Sequence, residues 1–131
     1  MNSNDVIFII DDDVIFVFVL KKMFSKIGCN LAIKNVKNGH EAISYFKYLH
    51  DNNLAFPKII FLDLNMPMLD GWQFLDEVEN LDFKKHLNIY VVSSSIDVRE
   101  IEKTKSYDTV IRFISKPISM DDLTAIVAST T

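Results

Sequence analysis

A chain of 131 residues has room for one domain of ordinary size and not for two independent cores. Its 14 basic and 18 acidic side chains leave a formal net charge of −4, which excludes a phosphate-coating nucleic-acid binder, because that role needs a concentrated basic surface. The longest apolar run, Val14 to Leu20, is far short of the ~20 residues that span a bilayer, and Cys29, the sole cysteine, excludes an internal disulfide.

In chain order, Val6 to Ile10 is a β-branched and aromatic run, the pattern of a strand buried on both faces. Asp11-Asp12-Asp13 ends it and opens a helix to about Ile27, with Phe16, Val19, Leu20, Met23 and Ile27 spaced as one buried face. Asp13 is expected to cap that helix, and Gly28 to stop it. Leu31 to Val36 reads as a second strand, and Gly39 to about His50 as a second helix with Ala42, Ile43, Phe46 and Leu49 inward. Pro57 introduces a third buried strand, Lys58 to Asp63. Leu64 to Gly71 reads as a loop, and Trp72 to about Glu79 as a helix with Phe74, Leu75 and Val78 inward. A fourth strand over Asn88 to Val92 precedes a short charged helix, Ile96 to about Lys105. Val110 to Ile114 makes the fifth strand, and Met120 to about Ala128 the last helix.

Five βα units in series predict an α/β domain, a parallel sheet with helices on both faces. In such a sheet ligands bind outside the carboxyl ends of the strands, where the strand order reverses. The first strand ends at Asp11-Asp12, the third at Asp63, the fourth at Ser93-Ser94-Ser95 and the fifth at Ser115-Lys116. Singly, each is ordinary: an aspartate at such a junction is usually a cap, and a lysine is usually a solvated charge. Their coincidence at one predicted edge is the signal. Crowded carboxylates repel unless a cation compensates, and a hard divalent ion such as Mg²⁺ binds through one or two carboxylates plus phosphate oxygens. With a lysine and a hydroxyl added, these are the groups needed to accept and hold a phosphoryl group, and an aspartate is a competent acceptor.

The pair Asp11-Asp12, the segment Asp63-Leu64-Asn65-Met66-Pro67 with Asp70-Gly71, Ser93-Ser94 and Lys116-Pro117 together resemble the receiver domains of two-component response regulators. The resemblance covers residues 5 to about 129 of a single domain, 1–131, of the stand-alone type. It implies a doubly wound, flavodoxin-like (βα)5 fold with strand order 2-1-3-4-5. It implies that Asp63 accepts the phosphoryl group of a partner's phosphohistidine. Asp12, Asp63 and the backbone carbonyl of Asn65 would ligate Mg²⁺, with Mn²⁺ as a substitute, and Asp11 would assist through water. Lys116 would pair with the phosphoryl oxygens and Ser93 would swing in to meet them. Phe113 stands where receivers often carry an aromatic that turns inward, Pro117 would follow a cis peptide bond, and Asn65 and Ser95 would set the rate of phosphoryl release.

Beyond the motifs, Val14, Ile15 and Phe18 point away from the inward face of the first helix, beside the acidic pair. Adjoining exposed apolar residues suggest a contact patch, here for the helices of a histidine kinase or histidine phosphotransfer protein. A competing surface is the fourth helix, fifth strand and fifth helix, with Tyr107, Val110, Phe113 and Ile114 among charges. The expected protein is cytoplasmic, lacking a basic secretory start in Met1 to Asp5. It is a monomer or a phosphorylation-dependent dimer, binds neither membrane nor nucleic acid, acts on no substrate but its own aspartate, and passes its signal through protein contacts. Two other readings are open. An aspartyl-phosphate phosphatase or phosphomutase of the haloacid dehalogenase type would need a carboxylic acid where Asn65 stands. An interaction module independent of phosphorylation would usually lack one of the acidic residues or the lysine.

Overall fold

The computed structural model describes residues 6–29, 31–64 and 70–130. Five strands, β1 (Val6–Ile10), β2 (Ala32–Val36), β3 (Ile59–Leu62), β4 (Ile89–Ser93) and β5 (Val110–Ser115), form one sheet of order β2-β1-β3-β4-β5. All four pairings are parallel, as expected from the motifs. The helices α1 (Val14–Lys26), α2 (Gly39–Asp51), α3 (Gly71–Glu79), α4 (Val98–Thr104) and α5 (Met120–Ser129) alternate with the strands, and a 3-10 turn at Lys84–His86 precedes β4.

Side chains alternate across a strand, so each apolar run feeds two cores. Ile7, Ile9, Ile59, Phe61 and Val92 pack on α1 and α5 through Phe16, Val17, Leu20, Phe24, Leu123 and Ile126. Phe8, Ile10, Ile60, Leu62 and Val91 face α2 and α3 through Ala42, Phe46, Phe74, Leu75 and Val78. The inward faces of α2 and α3 are those expected.

The α1 face differs. Val17 and Phe24 are buried with Phe16 and Leu20, Met23 and Ile27 pack at the edge, and Val19 is 46% exposed. Because α1 is apolar on nearly every side of its first two turns, the stripes 16-20-23-27 and 17-20-24 both satisfy helical spacing. Fitting Phe24 against Phe61, with ring centroids 6.1 Å apart, selects the second. Asp13 caps α1, accepting the N–H groups of Ile15 and Phe16 at 3.1 Å each. The stop at Gly28 is a Schellman closure, with φ +79, Gly28 N–H donating to the Ser25 carbonyl at 3.1 Å and Cys29 N–H to that of Phe24 at 3.0 Å. Helix α4 is shorter than expected because Asp97 caps it, accepting from Arg99 N–H at 2.9 Å and leaving Ile96 outside.

Candidate functional site

The order reverses around β1, which runs between β2 and β3, and the chain therefore places the ends of β1 and β3 side by side. Backbone bonds level these ends: Asp63 N–H donates to the Ile10 carbonyl at 3.0 Å, Asp11 N–H to that of Val36 at 3.1 Å, and Lys116 N–H to that of Ser93 at 2.9 Å. The cluster foreseen at the sheet edge is thus built by strand register rather than by loop conformation.

Asp11, Asp12 and Asp63 each offer a carboxylate oxygen within 4.8 Å of the others. Asp11 is 2% exposed and Asp63 7%, whereas Asp12 faces solvent. Lys116 Nζ bridges the two buried acids, 3.1 Å from Asp11 Oδ2 and 3.8 Å from Asp63 Oδ2. Its ammonium also lies 4.4 Å from the centre of the Phe16 ring, an attractive cation–π contact. Burial pushes the Asp11 carboxyl above its ordinary value; the Asp13 N–H, donating to it at 2.8 Å, and Lys116 pull it back.

Ser93 ends β4 fully buried, its hydroxyl accepting the N–H of Ser95 at 3.2 Å. Lys116–Pro117 is a cis peptide bond, as expected. Phe113 is half-buried, paired with Val91 across β4 and β5 and packed on the α2–α3 side of the sheet. Asn65, Met66 and Pro67 lie outside the described residues. The return from that segment is anchored by α3. Asp70 and Gln73 form a capping box, and Gly71 N–H donates to the Leu64 carbonyl at 3.0 Å. A Cβ at Gly71 would stand 2.4 Å from Leu64 Cα and 2.8 Å from the Asp63 carbonyl oxygen, so glycine alone admits this approach.

Along α1, Val14, Ile15 and Phe18 are exposed as expected, Ile15 at 76% and Phe18 at 60%, and Val19 joins them. Lys22 Nζ lies 5.3 Å over the Phe18 ring.

Three contributors were not foreseen. Asn35 of β2 donates to the carbonyls of Ile9 at 3.0 Å and Asp11 at 3.2 Å, steadying the acidic turn. Phe16 floors Lys116. Glu100 of α4 accepts from the Ser95 hydroxyl. A polar residue late in an edge strand was the signal for Asn35; the other two have none in the sequence.

The profile of the family described as response regulator receiver domain matches residues 7–128. The chain belongs to this family. Among solved structures, the receiver is similar to a two-component response regulator from Cytophaga hutchinsonii, with 27% identity, 98% of each chain covered and a TM-score of 0.86. It is also similar in fold to the Mn²⁺-bound form of response regulator Rcp1, with 21% identity, 95% and 90% covered and a TM-score of 0.74. The sensor histidine kinase CheAY of Helicobacter pylori is 27% identical over 126 residues, 95% of the receiver but 15% of that kinase. Of two other curated relatives the receiver spans 80% and 7% of the length. Among the described residues no helix is long and apolar enough to cross a membrane.

Proposed function

We propose that this receiver accepts a phosphoryl group on Asp63 and passes the signal on through protein contacts. The observation that carries the reading is the Lys116 ammonium held between two buried carboxylates, 3.8 Å from Asp63, at the switch point of the sheet. The donor is a phosphohistidine: an Asp63 carboxylate oxygen attacks phosphorus, a P–O bond forms as the P–N bond breaks, and the imidazole leaves with the electron pair of that bond. The product is an acyl phosphate.

Each neighbour has a part. Lys116 pairs with the phosphoryl oxygens, and its seat on Phe16 with a buried stem fixes its reach. Ser93 turns its hydroxyl to donate to a phosphoryl oxygen. Phe113 follows the space it vacates, and Ser95 and Asn65 flank the path of water that later hydrolyses the acyl phosphate. The all-oxygen set of Asp11, Asp12 and Asp63, completed by the Asn65 carbonyl in the family pattern, fits Mg²⁺, with Mn²⁺ as a substitute. A cation bound there would offset charge on the phosphoryl oxygens.

The partner is a histidine kinase or histidine phosphotransfer protein, docked on Val14, Ile15, Phe18 and Val19 beside Asp12 in the cytoplasm. Those side chains are apolar and exposed, on the first turns of the helix that follows Asp12. Intact mass after incubation with Mg²⁺ and acetyl phosphate tests the acceptor. Wild type gains one phosphoryl, and neither Asp63→Asn nor chelated wild type does. No gain where a control receiver is modified would favour an interaction module independent of phosphorylation.

A further inference from the structure

The Ser93 hydroxyl is tied to α4 by a short series of hydrogen bonds. Ser93 Oγ, buried at the end of β4, accepts the N–H of Ser95 at 3.2 Å. The Ser95 hydroxyl in turn accepts the N–H of Asp97 at 3.3 Å and donates to a carboxylate oxygen of Glu100. Asp97 caps α4 and Glu100 lies in its first turn. Ser95 and Glu100 are both half-buried, so the bond between them is partly shielded from competing water.

On the proposed reading, Ser93 swings its side chain to another staggered well to give its proton to a phosphoryl oxygen. Ser95 N–H then loses its acceptor, and an orphaned, shielded amide is costly. The loop can relieve that cost by following Ser93, but Glu100 holds Ser95 by its side chain and Asp97 holds the same oxygen. The anchor therefore opposes the rotation that phosphorylation needs.

We infer that Glu100 is a positioning residue that, through Ser95, holds the resting arrangement of the Ser93 hydroxyl and slows phosphorylation of Asp63. The inference rests on the reading of Asp63 as the phosphoryl acceptor. Glu100 touches neither Ser93 nor the carboxylate cluster in any bond described, and acts by keeping the loop where the Ser95 amide meets Ser93. One hydrogen bond to a charged acceptor at a half-exposed site supports a bias of about fivefold.

The test measures the initial rate of phosphoryl gain by intact mass over a range of acetyl phosphate concentrations with Mg²⁺. Glu100→Ala should raise the maximal rate about fivefold and leave the half-saturating donor concentration unchanged. Glu100→Gln keeps an acceptor oxygen for Ser95 and should stay near the wild-type rate, which a loss of charge alone would not explain. Ser95→Ala, which also frees the Asp97 N–H, should raise the rate at least as far as Glu100→Ala, and the double variant should go no further than Ser95→Ala, because the bond to Glu100 is already gone. A wild-type rate in Glu100→Ala, equal effects of Ala and Gln, or additive effects in the double variant would overturn the inference. A wild type that gains no phosphoryl would overturn the acceptor reading, and this one with it.

Discussion

Adding one methyl group at Gly71 should unsettle both the fold and the acceptor. The new Cβ would stand 2.4 Å from Leu64 Cα and 2.8 Å from the Asp63 carbonyl oxygen. Both are backbone atoms, which cannot turn aside as a side-chain tip would. Forced overpacking costs typically about 1–3 kcal/mol, and the rigidity of both neighbours puts Gly71→Ala near the upper figure. For a domain of this size that is a fall of about 10 °C in Tm. Gly28→Ala is the internal control: at φ +79 it strains the backbone, yet a Cβ there meets nothing within 4 Å. Its cost is torsional, about 1–2 kcal/mol. Urea unfolding at constant slope measures both. The two variants should also part in function, since relief at Gly71 moves the Asp63 carbonyl and must slow phosphorylation by acetyl phosphate, whereas Gly28→Ala, at the far end of α1, should load as wild type does. A Gly71→Ala stability within about 0.5 kcal/mol of wild type, with normal loading, would refute the claim that close backbone contact holds the acceptor in place.

Phe18→Lys should slow transfer from a protein phosphodonor at least tenfold, the effect of losing about 1.4 kcal/mol of contact, and leave loading by acetyl phosphate unchanged; equal loss with both donors would mean damage to the site instead of the docking patch. Mg²⁺ at ten times its dissociation constant should add about 1.4 kcal/mol to stability, seen as a rise in Tm that Asp12→Asn reduces. Lys116→Met leaves Asp11 and Asp63 facing each other without their bridging ammonium, so it should lower Tm in chelator and enlarge the increment given by Mg²⁺. At high pH, Tyr107 supplies a signature: burial first, and then its 2.6 Å bond to Asp76, push its phenol up to about 12 from an ordinary 10.0. The folded state favours the protonated form, so this contribution is complete below about pH 10 and is lost between about 10 and 12, while the unfolded chain ionises first. Denaturant unfolding of Tyr107→Phe should show a shallower loss across that window.

What the sequence revealed follows from how a parallel sheet is made. Strands covered on both faces are apolar throughout, so the residue that ends each run is conspicuous, and the pattern alone assigns Asp11, Asp63, Ser93 and Lys116 to one edge. The rotation of α1 is only partly legible, since its first two turns, Val14 to Leu20, are apolar in succession and only Lys21, Lys22, Ser25 and Lys26 further on mark a polar side. Only packing of Phe24 on Phe61 settles that Val19 faces out. Helix α4 starts two residues later than its apolar pattern predicts, because Ile96 continues the pattern and Asp97 overrides it through its cap. Asn35, Phe16 and Glu100 act on residues far away in sequence or through a loop hydroxyl, and such contacts leave no periodic trace.

The charge balance of the cluster bears on why acceptor, lysine and cation belong together. Three carboxylates face one ammonium, and Lys116 lies closer to Asp11 than to Asp63. The resting site is therefore short of positive charge, and the raised Asp11 carboxyl is one symptom of burying it. A phosphoryl group on Asp63 adds further negative charge at the same spot. On the proposed reading, Lys116 must then shift its pairing toward Asp63, leaving Asp11 less well compensated. A divalent cation relieves both deficits, so phosphorylation should tighten its binding, and by reciprocity the bound cation should favour phosphorylation by the same factor. Mg²⁺ affinity measured with and without the acyl phosphate in place must therefore differ; equal affinities would mean that the carboxylates hold the ion independently of the group they were gathered to receive.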